Sequence, residues 1–378
     1  MRERLCVAAG CLIFFLFTLP QTAWASQSTQ MEEILKDLDF SEIEKQMEEV
    51  PSALDFSDLV HRLVESGVDG FDAGEICTYI GDLFFYEIAE AKPLFLQLFS
   101  LGLLFALFGK MILTKPGYVS EIGFFVGYMG IVLLLLQSFT LISDVVTKGM
   151  DRLVSFMTAF VPVYAATLFL SGNTMSAGVF YEMTFGLIYL LELGMKFIFL
   201  PGIHIFVLLL LMDHLFEETK LEKLAQLLED GIRLALKGGL AAVLGIGVVQ
   251  SLIAPAKDRL STSGLYHGLS AVPGVGNTFG SAAEVLLGCG ILIKNSVGTA
   301  ALVILLVIGA TPLLKAFCFT VMYRLSAALL APVSDARIAS CVQAAARGCT
   351  LFLRLQLDAL LLFFITISMI SASTSFIY

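Results

Sequence analysis

Charge is what this sequence lacks most. Only 15% of its 378 residues are Asp, Glu, Lys or Arg, where a soluble domain carries about a quarter. Basic residues are the scarcer kind, 23 against 33 acidic, for a net charge of −10. A nucleic-acid binder needs a basic patch on its binding face, so that class is excluded. Histidines are few and scattered: His61, His204, His214 and His267. The sequence holds no HExxH, no GxSxG and no paired-cysteine motif, so an enzyme is not expected. Of seven cysteines, Cys6 and Cys11 fall in the first 25 residues and only Cys77 in the acidic stretch that follows. No intrachain disulfide framework is available there. Cys289, Cys318, Cys341 and Cys349 lie in or beside apolar runs and read as small buried apolar residues. None has metal-ligand spacing, and no cofactor is expected.

What the chain has in abundance is apolar surface. Hydrophobic residues make up 57%, and mean hydropathy is +0.87. Disorder requires the opposite composition, and a water-soluble globular enzyme does not fit either. The expected class is an all-α, polytopic helical membrane protein seated in a lipid bilayer.

The charges divide the chain. Residues 26–92 hold 17 acidic and 4 basic side chains, and the remainder holds 16 and 19. A boundary near Lys92–Pro93 thus separates an acidic aqueous segment from an apolar remainder. Before it, Arg2 and Arg4, the apolar run Leu5 to Leu19, Pro20 and Ala23-Trp24-Ala25 form the basic, apolar and small-x-small parts of a cleavable secretory signal. An uncleaved signal anchor is the alternative, and either places 26–92 outside the cytoplasm. Within that segment Met31, Ile34, Leu35 and Leu38 share a helical face. So do Ile43, Met47 and Val50, and Leu59, Val60, Leu63 and Val64. Another helix is expected from about Ala73 to Ala91. The acidic faces are either solvated surface or a docking surface for an extracytoplasmic partner.

Beyond residue 93, runs at 94–113, 122–143, 153–170, 178–199, 203–212 with extensions, 239–254, 297–314 and 350–370 approach the length that crosses a bilayer. The runs 282–293 and 316–333 are ambiguous, so seven or eight spans are expected over 93–378. Lys110 and Lys115 then fall inside, as the positive-inside rule asks. Leu221, Leu224, Ala225, Leu228, Ile232 and Ala235 give an amphipathic helix lying on the membrane or against other spans. Segments 251–260 and 328–337 each read as an apolar helix stopped by a proline, Pro255 or Pro332.

Ionisable groups inside such spans are functional-site candidates by default. Glu182, Glu192 and Lys196 sit on one expected helix, and Glu192 and Lys196 have the i, i+4 order that pairs favourably. Glu284, Lys294 and Asn295 flank one short run, and Lys315 and Arg324 lie at the next. Arg354 and Asp358 are again i, i+4. Pro273, Gly274, Gly276 and Gly280 interrupt the apolar pattern. They precede no Lys-Ser/Thr pair and follow no strand, so they form neither a P-loop nor a dinucleotide fingerprint. A broken helix or a tight loop is expected there.

Several blocks carry a resemblance. They are Phe160-Val-Pro-Val-Tyr164-Ala-Ala-Thr-Leu168 with Ser171-Gly172 and Ser176-Ala-Gly178, then Lys223-Leu-Ala-Gln-Leu-Leu228 and Ala271-Val-Pro-Gly-Val-Gly276. Glu284-Val-Leu-Leu-Gly288-Cys289, Leu292-Ile-Lys-Asn295-Ser-Val-Gly298, Lys315 and Tyr323-Arg324-Leu-Ser-Ala-Ala-Leu-Leu-Ala-Pro332 complete the set. Together they resemble the stage III sporulation protein AE family of endospore-forming bacteria, over about residues 150–370. The resemblance implies the polytopic component of a secretion-like channel complex between mother cell and forespore. It also implies ring-forming extracytoplasmic partners, a cytoplasmic ATPase partner and a role in late forespore gene expression. None of the blocks is a catalytic motif. The alternative reading is a stand-alone secondary transporter using Glu182, Glu192 and Lys196.

Overall fold

The computed structural model describes residues 35, 38–46, 55–67, 73–112, 118–171, 175–213, 221–270, 276–334 and 336–373. Among them every regular element is helical. Two short helices, α1 (Ser41–Lys45) and α2 (Phe56–Ser66), precede the long ones. Then come α3 (Ala73–Ile112), α4 (Tyr118–Leu170) and α5 (Met175–Gly194). A π-helical turn, Met195–Phe199, joins α5 to α6 (Leu200–Asp213). Helices α7 (Glu222–Ser270), α8 (Gly276–Leu330) and α9 (Ala336–Ser373) follow.

The helices are longer than the apolar runs suggested. Runs 122–143 and 153–170 lie on one helix of 53 residues, about 80 Å long at 1.5 Å per residue. The charges between them, Asp144, Lys148, Asp151 and Arg152, do not interrupt it, because charged side chains carry no backbone penalty in a helix. Runs 282–293, 297–314 and 316–333 likewise lie on α8, and α3 continues straight through Lys92 and Pro93. The proline stops are half right. Pro332 follows the end of α8, but α7 runs through residue 255. A proline removes one ladder hydrogen bond, and neighbouring helices can offset that loss in an apolar bundle. Among the described residues four stretches are long and apolar enough to cross a membrane: Phe125–Leu170, Met183–Asp213, Gly288–Leu330 and Arg337–Ser371.

Helices α8 and α9 form the centre. Ile293, Val297, Ala300, Ala301, Ile304 and Leu305 on α8, and Cys349, Leu351, Phe352, Leu355 and Leu362 on α9, are fully buried. Helix α4 runs antiparallel to α8, and their register holds over its length. Ser138 meets Tyr323 at 2.5 Å. Gly149 faces Pro312, Tyr164 faces Gly298, and the backbone of Leu170 presses on Gly290. Small residues allow that approach, the usual device where helices associate without a hydrophobic driving force. A Cβ on Gly149 would stand 2.7 Å from Pro312, and one on Gly348 would overlap Val207 and Phe139.

The described parts of the acidic segment before α3 pack against the long helices. The Phe40 and Phe56 rings meet tilted at 5.4 Å, and Phe56 meets Phe156 and Phe160 of α4 at 6.4 and 6.5 Å. Ile43, Phe56 and Val60 are completely buried in the common core, and Leu59, Leu63 and Val64 nearly so. The described residues of the amphipathic faces therefore cover the side of the long helices. The acids of those faces point away: Glu42 and Asp58 are exposed, and Asp58 pairs with Arg62 at 2.5 Å.

Candidate functional site

The polar groups of the bundle form three sets. The first lies halfway along the helices. Lys315 of α8 reaches two carboxylates of α3, Glu90 at 2.6 Å and Glu87 at 3.7 Å. Glu87 is 3% exposed, so the lysine compensates a buried acid and ties the first long helix to the centre. Lys196 pairs with Asp151 of α4. Gln356 of α9 is buried with neither amide atom hydrogen-bonded, close to Gly149 and Pro312.

The second set is an ion triad. Glu229 of α7 is held by Arg233, one turn on, and by Arg347 of α9 at 2.6 Å. The Arg347 guanidinium also sits 5.4 Å above the Phe206 ring. Nearby, the Tyr128 hydroxyl donates to the Leu211 carbonyl at 2.8 Å and accepts from the Cys341 thiol at 2.9 Å. These contacts lock α4, α6, α7 and α9 together.

The third set surrounds the run Leu292–Gly298. Lys294 is fully buried, and its ammonium donates to the Ser371 carbonyl at 3.4 Å. Asn295 accepts from the Ser371 hydroxyl at 3.5 Å. Tyr164 packs on Gly298. The block Leu292–Gly298 thus supplies a close α4–α8–α9 junction.

The candidate residues from the sequence fare differently. Lys294 and Asn295 come together, and Lys315 joins α8 to α3. Arg324 donates to the Thr350 hydroxyl at 3.1 Å, which links α8 to α9. The expected Glu192–Lys196 pair does not form. The π-helical turn begins at Met195 and shifts the register, so Lys196 turns to Asp151. Glu192 stays buried at 1% exposed, with neither carboxylate oxygen hydrogen-bonded. Pro273 and Gly274 lie outside the described residues, as do the side chains of Glu182 and Glu284. Gly276 and Gly280 belong to the first turns of α8 rather than to a loop.

Sequence reasoning missed Glu87, Asp151 and the Glu229 triad. Glu229 and Arg233 are i, i+4, so that pair was available as a signal, whereas Asp151 and Arg347 required the fold. Among the described residues no group of three or more His, Cys, Asp or Glu side chains could hold a metal ion. The ion pairs and small-residue contacts hold helices in register.

Long apolar helices joined by internal ion pairs define a polytopic helical membrane protein. More narrowly, residues 54–374 match the family model described as stage III sporulation protein AE, and the chain belongs to that family. It is 28% identical over 254 residues to the stage III sporulation protein AE of Bacillus subtilis (strain 168). That similarity covers 67% of this chain and 63% of the relative, so the chain spans under two thirds of its relative's length. No solved structure matches.

Proposed function

We propose that this protein is the membrane-embedded component of a channel or secretion-like complex linking mother cell and forespore. The observation that carries the reading is the family match over residues 54–374, joined to helices that fit a bilayer. The role is scaffolding or gating rather than catalysis. Ring-forming extracytoplasmic proteins and a cytoplasmic ATPase are its partners, as the resemblance implies. The N-terminal acidic segment lies outside the cytoplasm, and residues 1–25 act as a cleavable signal. The protein sits in the mother-cell membrane around the forespore and supports late forespore gene expression. A deletion strain carrying a fluorescent reporter of late forespore transcription tests this. Engulfment should complete and the reporter then stay dark; normal spore formation would refute the role.

One observation favours the transporter reading. Glu192 is buried with both oxygens lacking hydrogen-bond partners, and such carboxylates in a membrane bundle mark ion or proton paths. It predicts that Glu192→Gln abolishes sporulation at normal protein level. Wild-type sporulation of that variant would end the transporter reading.

A further inference from the structure

Charged side chains recur at one level about midway along the long helices. Contacts fix that level. Gly149 of α4 meets Pro312 of α8 beside Gln356 of α9, Lys315 of α8 meets Glu87 and Glu90 of α3, and Lys196 meets Asp151. Asp144 and Lys148 of α4 are exposed next to it, and Arg354 and Asp358 flank Gln356 in the chain. Helix α7 brings Lys237 to the same level, because Gly239 packs on Leu191.

A second charged level closes one end of the bundle. The Leu221 amide donates to the Asp213 carboxylate at 2.9 Å, which gathers Asp213, Glu222 and Lys223. Tyr128 joins Leu211 to Cys341, so the start of α9, with Arg337, lies at this end too. The ends of α6 and α8 and the starts of α7 and α9 all fall there. The two levels are separated by residues 196–213 on one side and 337–354 on the other, each about 26 Å of helix at 1.5 Å per residue. A hydrocarbon core is about 30 Å thick.

The surface between these levels is apolar on α4, α6 and α8. Val126, Leu133, Leu141, Ile205, Leu208 and Leu325 are all exposed there. Of the α7 charges inside this layer, Glu229 is held by Arg233 and Arg347, and Asp230 is exposed beside them. On the other half Met183, Tyr189 and Leu190 of α5 are exposed, but the α4 face is clad by acidic helices. Phe56 anchors residues 55–67 on Phe156 and Phe160, which presents Asp39, Glu42, Asp55, Asp58 and Glu65 to the surroundings. Placing a bilayer on that half would immerse all of them, and charge in the hydrocarbon is what membrane proteins avoid. The high hydropathy of residues 288–312 has another cause, since that stretch is mostly buried inside the protein.

We propose that lipid surrounds only the layer between the two charged levels. The half beyond the central level, with residues 153–170, 175–194, 288–311 and 359–373, stands in water as a helical head. Lys223 at the start of α7 and Arg337 at the start of α9 lie at the other end, so the positive-inside rule points the head away from the cytoplasm. The stretches of α4, α6, α8 and α9 between the levels still cross the bilayer once each, and α3 runs through the same layer from Glu90 at Lys315 to Gly102 at Leu330, but 153–170, 178–194 and 288–311 are not spans. This inference concerns where the membrane lies and does not rest on the channel reading; it takes Glu192 out of the bilayer and so excludes the transporter reading.

Single cysteines in the full-length protein, in membranes, test it. The background is Cys77→Ser, since Cys77 is the exposed native thiol among the described residues. Met183→Cys and Tyr189→Cys report the head; Leu133→Cys and Leu208→Cys report the layer. All four side chains are exposed. A membrane-impermeant maleimide is applied to both faces, and spin-labelled samples are compared for collision with oxygen and with a water-soluble nickel chelate. The head positions should react at least tenfold faster and collide with nickel; the layer positions should collide with oxygen. Oxygen preference at Met183→Cys and Tyr189→Cys overturns the proposal, as does nickel access at Leu133→Cys and Leu208→Cys. Elution of each variant at the wild-type volume after extraction excludes misfolding, and the second position in each zone serves where one variant fails that check.

Discussion

Replacing Lys315 with methionine isolates the ion cluster that joins α3 to the centre. Methionine keeps most of the side-chain length and its apolar contacts and removes the charge. Glu87 then lies 3% exposed with no cation within reach. Removing one partner of a buried pair costs about 3–5 kcal/mol. Here the lysine is 19% exposed and its closer partner Glu90 is 48% exposed. An exposed pair contributes only about 0.2–1 kcal/mol, so nearly all the effect comes from Glu87, and the partial exposure of the lysine lowers the loss to about 2–3 kcal/mol. At about 2–4 °C per kcal/mol for a large domain, the midpoint of thermal unfolding in detergent should fall by roughly 5–10 °C. Because the cost is an uncompensated carboxylate, Lys315→Met with Glu87→Gln should recover at least half of it, a coupling of about 1 kcal/mol or more. A single variant within 1 °C of wild type would refute the reasoning. So would a double variant no better than the single.

Three further outcomes are expected. Gly290→Ala should destabilise by about 2 kcal/mol or more, because its new carbon falls on the backbone of Leu170; Gly186→Ala, which meets open space, should be neutral or stabilising in the same melt, and equal effects would contradict the close approach. Phe56→Ala should release residues 55–67 from α4 at a cost of about 3–5 kcal/mol; hydrogen exchange of α2 should quicken while that of α9 stays slow, and unchanged protection of α2 would be the contrary result. Burial, then the neighbouring Asp55 carboxylate, raises Glu44 above the ordinary glutamate range, so the docked state holds its proton more tightly than the free segment does. Docking of residues 38–67 should therefore strengthen as pH falls into that raised range and weaken as pH rises through it, read as α2 exchange corrected for intrinsic rate. Glu44→Gln should flatten the dependence. Asp39, held low by the Ser41 side chain and amide, stays ionised there and does not oppose the trend.

The helical class was legible in the sequence because composition decides it. The amphipathic faces of residues 31–65 were legible from their spacing, and the described ones cover the bundle as that spacing implies. Helix ends were harder to read. Lys148 and Asp151 fall between the expected spans 122–143 and 153–170, yet they sit on one continuous helix because the backbone ladder is indifferent to them. The partner of a charge was hardest of all. Glu192 and Lys196 are neighbours on an ideal helix, but a π-helical turn breaks that geometry, and no residue type announces such a turn. Glu87 and Lys315 lie 228 positions apart in the chain, a distance across which periodicity carries no information. Lys294 and Asn295 stood out in the sequence only as polar residues flanking a short apolar run, and the close junction they build with Ser371 required the fold.

The central claim is that this chain works as part of an assembly rather than alone. Isolation of the full-length tagged protein from membranes of sporulating cells, with quantitation of what accompanies it, addresses that claim most directly. The account predicts that extracytoplasmic ring-forming proteins and a cytoplasmic ATPase come with it in fixed proportion. Recovery of the protein alone, from cells in which those partners are present, would contradict it.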